Sequence, residues 1–380
     1  MLGSLGRATQ YLHALTERVA VDGAKAGGRV VVAYVFARDR VIDPSEIAAA
    51  KLTHVNYAFV DIRDGRVAPG FATEGANLKA LASLRRKHPH LKVLASVGGW
   101  TWSGSFSDVA LTRETRRRFV DSAVDLVVRY DLDGLDIDWE YPGLPGYGNS
   151  HRPEDKQNFT ALMSELRVAL DRERTRSGRR YLLTFAAGGF RECLANVEMD
   201  KLEPVVDFVN LMAYDLRNAE LDPLAGHHAN LYTHAADPRR NSADQAVRDF
   251  LAAGVPACKL VLGVPFYGRA WGNVASDAAH PHGLYTAGSA PEPPLETCYQ
   301  HLAANVVDRG GYARFWDDTV CAPFLWNADS RTLISYEDPQ SLREKCRYIR
   351  EHDLAGAMFW EYYADPGGTL LDTLFNGLKS

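Results

Sequence analysis

Cysteine is scarce in this chain, and its spacing matches no metal site or disulfide scaffold. The 380 residues include five cysteines, and no two of them form a CxxC pair. An odd count leaves at least one thiol unpaired, so neither a disulfide framework nor a cysteine-based zinc site is expected. We predict free thiols, with positions 298 and 321 as the pair to examine for a bridge. The five are Cys193, Cys258, Cys298, Cys321 and Cys346.

Long apolar runs and a strong charge imbalance are also missing. No stretch reaches the roughly 18 apolar residues of a membrane-spanning helix. The formal net charge is −5, which argues against nucleic acid or an anionic membrane surface as a partner. Residues 1–28 are too polar for a secretion signal, so no signal peptide is visible. Leu5, Leu12 and Leu15 have helical spacing, which predicts an N-terminal helical extension over 1–28.

The chain does contain a regular alternation of short, β-branched apolar runs with longer amphipathic stretches. Candidate strands lie at 30–36, 54–60, 92–97, 134–138, 181–186, 208–212, 260–264 and 356–359. Helical patterns cover 113–130, 155–177, 242–253 and 339–353. Eight strands separated in this way predict an α/β chain folded as a (β/α)8 TIM barrel. In such barrels the chemistry lies at the C-terminal ends of the strands.

One interval breaks the alternation, between the seventh strand and the helix that follows it. Residues 267–337 are rich in glycine, proline and aromatic side chains, which a flexible linker would not carry. Two β-rich runs at 323–327 and 333–336, with Asp329 between them, predict a hairpin. We therefore predict a small α+β insertion over 267–337, with the barrel formed by 29–266 and 338–380.

The most informative motif is a row of acids at the fourth predicted strand. Asp136, Asp138 and Glu140 alternate with apolar residues, so the strand period directs all three carboxyls to one face. Alternate Cα atoms in a strand lie roughly 6.6 Å apart. Three carboxyls at this spacing do not all ionise easily, and one is expected to hold a proton near neutral pH. A protonated carboxyl is a general acid, so the motif predicts an active site.

A metal site is the main competing interpretation of this motif, because closely spaced carboxylates also bind Mg²⁺ or Mn²⁺. No phosphate-binding loop or further oxygen or nitrogen ligand accompanies the acids, and Trp139 and Tyr141 flank them instead. Aromatic neighbours favour a carbohydrate site, and we predict neither metal nor cofactor. The adjacent His227 and His228 are interpreted as part of a surface loop, since sequence neighbours do not face one ligand together.

The acidic motif, Asp133-x-x-Asp136-x-Asp138-x-Glu140, resembles the signature of family 18 glycoside hydrolases, the chitinases. Further segments resemble the family's other strand-end motifs, in the same order along residues 29–378. These segments are SVGGW at 96–100, NYAF at 56–59, MAYD at 212–215, GVPFYGR at 263–269 and FWE at 359–361. The resemblance implies hydrolysis of β-1,4-linked N-acetylglucosamine with retention, in which the substrate's own acetamido oxygen attacks the anomeric carbon.

The resemblance also implies roles for individual residues. Glu140 corresponds to the general acid and base. Asp138 corresponds to the partner of the acetamido N–H, and Asp136 to the acid that shares its proton. Tyr214 corresponds to the donor to the acetamido oxygen, and Asp133 is either structural or part of the site. The implied substrate-binding residues are Asp215, Trp360, Trp100, Met212, Tyr267, Arg269, Tyr34, Ser96, Gly99 and Phe36.

Three alternatives remain at this stage. A chitin-binding lectin of the same fold would lack the acid at Glu140, which this chain has. An endo-β-N-acetylglucosaminidase acting on N-glycans would share the motifs, and a phosphate-handling metal enzyme would lose activity with a chelator. The expected partners are chitin or N-acetylglucosamine oligosaccharides, with a monomeric chain. The polymeric substrate favours an extracellular protein, although no export signal is visible.

Overall fold

The structure, a computed structural model, describes residues 28–379. The helix predicted over 1–28 therefore lies almost wholly outside the described residues. The thirteen strands of the described part are β1 Val30–Val35, β2 His54–Arg63, β3 Arg66–Ala68, β4 Lys92–Gly98, β5 Gly134–Asp138, β6 Leu182–Gly188, β7 Phe208–Met212, β8 Leu260–Pro265, β9 Arg269–Trp271, β10 Tyr312–Asp317, β11 Ala322–Asn327, β12 Thr332–Ser335 and β13 Gly356–Trp360.

Eight of these strands form a closed parallel barrel, which confirms the predicted fold class. The strands pair in the order β1, β13, β8, β7, β6, β5, β4, β2, and β2 pairs with β1 to close the ring. The short β3 adds an antiparallel edge to β2. All eight predicted strands are present, with ends that differ by at most a few residues. The alternation of apolar runs in the sequence therefore predicted the barrel correctly.

Helices cover the outside of the barrel, and local signals set where they begin. Thr112 caps the helix Arg113–Arg129 by accepting the Thr115 N–H at 3.1 Å, and Asp338 caps Pro339–Glu351 in the same way. Such caps satisfy N–H groups that the first helical turn leaves free. The helices are Glu74–Ser83, Phe106–Leu111, Arg113–Arg129, Asp155–Ser177, Arg191–Ala195, Met199–Leu202, Ala243–Ala252, Tyr299–His301, Pro339–Glu351 and Thr369–Lys379.

The stretch between β8 and the helix Pro339–Glu351 contains a second sheet. Its antiparallel strands run in the order β10, β11, β12, β9, and β11 and β12 are the predicted hairpin, paired from Phe324 with Ser335 to Asn327 with Thr332. The other two strands of this sheet, β9 and β10, were not predicted from the sequence. The domain boundaries at 29–266, 267–337 and 338–380 stay a prediction.

The barrel interior is filled by two kinds of side chain. Apolar groups such as Val30, Val32 and Phe208 fill the N-terminal end, where the buried His54 ring packs on Phe208, and a larger group of polar side chains lies above them. Strand pairing places Ser96 beside Asp136, and Asp136 beside Thr184. The polar layer therefore faces the C-terminal ends of the strands, where the predicted site lies. Among residues 28–379, no helix has the length and hydropathy needed to cross a membrane.

Candidate active site

Asp136 is the most fully hydrogen-bonded acid of the motif. Its Oδ2 accepts the Tyr34 hydroxyl at 2.8 Å and the Ser96 hydroxyl at 2.7 Å. Its Oδ1 accepts Thr184 Oγ1 at 2.6 Å and Asn210 Nδ2 at 3.1 Å. Burial raises the pKa of Asp136, and these four donors offset part of that rise. Tyr34 and Ser96, which the resemblance names among the substrate-binding residues, use their hydroxyls to bind Asp136, whereas Thr184 and Asn210 were not singled out in the sequence.

Asp138, the last residue of β5, has the opposite environment. It is buried, and its Oδ1 has no hydrogen-bond partner among the described residues. Burial raises its pKa well above the ordinary value, and the nearby charges of Glu140 and Asp136 raise it further. A buried acceptor without a partner is uncommon and needs an explanation. The predicted proton sharing between Asp138 and Asp136 stays a prediction.

Glu140 lies two residues beyond the C-terminal end of β5, whose bounds match the predicted strand at 134–138. Its N–H donates to Ser103 Oγ at 2.9 Å, and its carbonyl oxygen accepts Asn149 Nδ2 at 2.6 Å. Burial raises the pKa of the Glu140 carboxyl to about 7, and the charge of Asp215 contributes to the rise. The sequence attributed this rise to the acidic neighbours in the motif, but burial is the larger cause.

Tyr214 lies two residues beyond the end of β7, the next strand but one from β5 in the barrel. Its hydroxyl makes one hydrogen-bond contact among the described residues, a long approach of 3.8 Å to the Met358 sulfur. Burial raises the Tyr214 pKa well above its ordinary value, so the hydroxyl keeps its proton as a donor. Met212, two residues earlier, is buried in the barrel interior. Asp138 thus offers an acceptor without a partner, and Tyr214 a donor whose one contact is the weak acceptor sulfur of Met358.

Trp360 forms an aromatic floor at the end of β13. Its ring stacks on Phe59, with centroids 5.2 Å apart and an interplanar angle of 14°. Phe36 packs against the same indole at 5.5 Å, and Tyr34 at 6.0 Å. Trp360 remains only partly buried, so a broad apolar ring face adjoins the acids. Such a face suits the C–H surface of a sugar ring.

Asp215 is held as an anion by groups from the start of the insertion. Arg269 donates Nε and an η nitrogen to its two carboxylate oxygens, each at 2.7 Å, and the Tyr267 hydroxyl donates at 2.8 Å. Burial alone would raise the Asp215 pKa, but the hydrogen bonds and charges of Arg269 and His228 lower it below its ordinary value. Asp215, Tyr267 and Arg269 therefore lie together, and their predicted role in substrate binding stays a prediction.

The prediction of a surface loop for His227 and His228 is wrong. Both rings are buried. His227 Nε2 lies 3.2 Å from Asp317 Oδ2, and His228 Nδ1 lies 3.4 Å from Asp215 Oδ1. The His228 N–H also donates to Ser335 Oγ. The loop after β7 packs against the insertion sheet, and sequence spacing gives no signal for partners about 90 to 110 residues away.

Glycines bring the next strand end close to the acids. The Gly99 N–H donates to the Asp138 carbonyl at 2.8 Å, and a Cβ on Gly98 would lie 2.3 Å from that same oxygen. Both glycines have positive φ, 106° and 81°, which other residues adopt at a cost. Trp100 follows directly and is 43% exposed. It lies on the rim of the site.

The remaining sequence expectations have simple outcomes. Asp133 accepts the Val93 N–H at 2.8 Å and pairs with Arg85 and Arg179 at the opposite end of β5 from Glu140, so its environment is structural. All five cysteines are free, positions 298 and 321 included. Within residues 28–379, no group of three or more His, Cys, Asp or Glu side chains is arranged to hold a metal ion.

The fold and the site together define a glycoside hydrolase built on a (β/α)8 barrel. Residues 30–365 match the model of the glycosyl hydrolases family 18, and the chain belongs to this family. It is similar to chitinase A1 of Niallia circulans, with 44% identity over 309 residues that cover 78% of this chain and 44% of that protein. This chain thus spans less than half the length of that relative.

Two solved structures support the same assignment. The family 18 N-acetylglucosaminidase from Paenibacillus barengoltzii has 42% identity and a TM-score of 0.84, covering 92% of this chain and all of the other. The chitinase ChiA74 from Bacillus thuringiensis has 34% identity and a TM-score of 0.85, covering 92% of this chain and 70% of the other. The predicted family and fold class are confirmed.

The site makes a prediction about ionisation. In protein labelled with ¹³C at glutamate carboxyl carbons, the Glu140 resonance should titrate with a midpoint near pH 7, because burial disfavours its anion. An ordinary glutamate titrates near about 4.3. The resonance is identified by its absence in E140Q. A midpoint close to the ordinary value would contradict the burial described here.

Proposed function

We propose that this chain is a chitinase that hydrolyses β-1,4-linked N-acetylglucosamine polymers or oligomers. The observation that carries the proposal is the pair of polar groups, Asp138 and Tyr214, that have no oxygen or nitrogen partner for the atoms named next. The unpartnered Asp138 Oδ1 can accept an amide N–H, and the Tyr214 hydroxyl can donate to an amide oxygen. A sugar that bears a 2-acetamido group supplies both. Relatives named as chitinases support the same substrate class.

Glu140 acts as the general acid in the first step. With a pKa near 7 it is protonated at mildly acidic pH, and it transfers that proton to the glycosidic oxygen as the bond to the anomeric carbon breaks. The acetamido oxygen forms the new bond to that carbon and gives an oxazolinium ion. Family 18 is an exception to the usual carboxylate nucleophile of retaining glycosidases. The leaving sugar departs with a neutral hydroxyl.

Water completes the reaction in the second step. Glu140, now an anion, takes a proton from the water as it attacks the anomeric carbon, and the oxazolinium ring opens to restore the acetamido group. Each step inverts the same carbon, so the product has the configuration of the substrate. The Asp138 carboxylate balances the positive charge of the ring, while Tyr214 aims the acetamido oxygen. These two roles require Asp138 and Tyr214 to lie close to Glu140.

The remaining groups bind the sugar chain. Trp360, with Phe36 beside it, supplies an apolar face under the scissile sugar. The Asp215 carboxylate, fixed by Arg269 and Tyr267, accepts sugar hydroxyl or amide donors. Trp100 supplies a stacking surface on the acceptor side. We further propose a monomer that acts outside the cell, where the polymeric substrate is found.

The first test removes the transferable proton. E140Q should lower the hydrolysis rate of N-acetylglucosamine oligomers by about 10²-fold or more, because the amide keeps the shape of the acid but transfers no proton. Binding of the tetramer, measured by calorimetry, should be retained. E114Q is the matched control, since the Glu114 side chain is 83% exposed on an outer helix. Hydrolysis by E140Q at the wild-type rate would refute the role of Glu140.

The second test removes the acetamido group. Fully deacetylated chitosan and cellulose oligomers should be almost inert, because neither offers an oxygen for the internal attack, and EDTA should leave activity unchanged. Proton NMR of fresh product should show the β-anomer before mutarotation. Efficient cleavage of the deacetylated substrate, or initial appearance of the α-anomer, would be incompatible with acetamido participation.

A second candidate activity is the release of single N-acetylglucosamine units. The similar structure from Paenibacillus barengoltzii is described as an N-acetylglucosaminidase, and this chain covers its full length. One local feature agrees with a site that has little room for sugars on the non-reducing side of the cleaved bond. The guanidinium of Arg38 lies 5.3 Å from the centroid of the Phe36 ring, and so a charged group covers the aromatic surface next to Trp360.

Product analysis separates the two activities. An enzyme that releases single units should give monomer from the first turnover of the hexamer, and it should cleave the dimer readily. A chitinase that binds several donor sugars should instead give mainly dimer and trimer, with slow cleavage of the dimer. Because of the family relatives, we expect dimer and trimer. Early monomer as the main product would favour the second candidate, and cleavage of N-glycoprotein instead of chitin oligomers would refute both.

A further inference from the structure

Two exposed aromatic side chains meet at the rim of the site. Within residues 28–379, Trp100 and Tyr147 are the two aromatic members of the exposed large hydrophobic residues, at 43% and 62% exposure. Their ring centroids lie 6.3 Å apart with an interplanar angle of 50°. The other exposed hydrophobic residues are aliphatic. Single exposed apolar residues are ordinary on a protein surface, but adjoining aromatic rings beside a catalytic cleft indicate binding.

The two rings are on loops that hydrogen-bond to the backbone of Asp138 and Glu140. The Trp100 loop is held by the Gly99 N–H on the Asp138 carbonyl, and by Ser103 Oγ, which accepts the Glu140 N–H at 2.9 Å. Ser103 Oγ also lies 3.0 Å from the Asp138 carbonyl oxygen, to which it can donate. These contacts fix the position of the Trp100 loop relative to the acids.

The loop of Tyr147 is fixed to the same segment by separate contacts. Asn149 donates to the Glu140 carbonyl oxygen at 2.6 Å. Gly146 packs so closely on this oxygen that an added Cβ would lie 2.2 Å away. Tyr147 therefore projects from a loop with one residue on either side of it restrained against the backbone of the acid. Its exposure is not a consequence of a loosely attached loop.

We propose that Tyr147 is a specificity-determining residue that binds the sugar unit beyond the one on Trp100, in a β-linked N-acetylglucosamine chain. Tyr147 is not among the residues that the family motifs identify. The proposal rests on the function proposed above, because Glu140 defines where the chain is cut and Trp100 where its acceptor side begins.

The geometry favours two successive sugars over one enclosed sugar. A sugar held between two parallel rings needs two layers of van der Waals contact, roughly 7–8 Å in all. The separation of 6.3 Å and the tilt of 50° do not leave this space. The rings instead present adjoining faces at an angle, which suits consecutive units of a chain that turns as it leaves the cleft.

The test compares Y147A with wild type on oligomers of two to six units. KM for the pentamer and hexamer should rise roughly five- to tenfold, the loss expected for one aromatic contact, while kcat stays within twofold. KM for the dimer should stay unchanged, because it cannot reach Tyr147. Y147F and Y147W should behave as wild type, since they keep a ring at this position.

Two controls separate failure of this inference from failure of the proposed function. V128A removes another exposed apolar side chain, 49% exposed on the outer helix Arg113–Arg129, and should change no parameter. Calorimetry should show that E140Q/Y147A binds the hexamer more weakly than E140Q does, by the same factor as the rise in KM. Equal effects of Y147A on all lengths, or none, would overturn the role of Tyr147. No hydrolysis of any acetamido sugar by wild type would instead overturn the proposed function.

Discussion

The hydrogen bonds to Asp136 are the interaction on which the rest of the site depends. Their donors come from four different strands, β1, β4, β6 and β7, and they meet within the closed barrel. A buried carboxyl without such donors would be very costly. The barrel supplies them because pairing in register places Ser96 and Thr184 directly beside Asp136. The buried position of Asp136 therefore depends on the closed sheet.

The three acids differ because their surroundings differ, although their spacing is regular. Asp136 is saturated with donors, Asp138 has an unpartnered oxygen, and Glu140 lies beyond the strand with its backbone fixed. Burial acts on all three in the same direction, since it disfavours the charged form of a carboxyl. Their individual hydrogen bonds then separate them. The three acids thus differ in role: Asp136 is a buried structural acid, Asp138 a charge partner, and Glu140 a proton donor.

Much of this structure could be predicted from local sequence patterns, and the errors have a common cause. The alternation of strand and helix patterns predicted the barrel, and two β-rich runs on either side of a turn predicted the hairpin of β11 and β12. The buried positions of His227 and His228 were missed because their partners lie in the insertion, far along the chain. The donors Thr184 and Asn210 were missed for a similar reason. Single polar residues in apolar strands reveal their role only when neighbouring strands align.

The insertion sheet is part of the site's construction, because its strand β9 begins with Arg269. Arg269 binds Asp215, and it pairs in register with Ser335, which accepts the His228 N–H. His228 in turn approaches Asp215, so the contacts form a closed ring between the loop after β7 and the insertion sheet. In evolutionary terms, the side chains of Asp215, Arg269 and His228 should vary together, whereas Ser335 meets only the backbone of His228 and of Arg269. An insertion exchanged between homologues would need to carry the matching β7 loop with it.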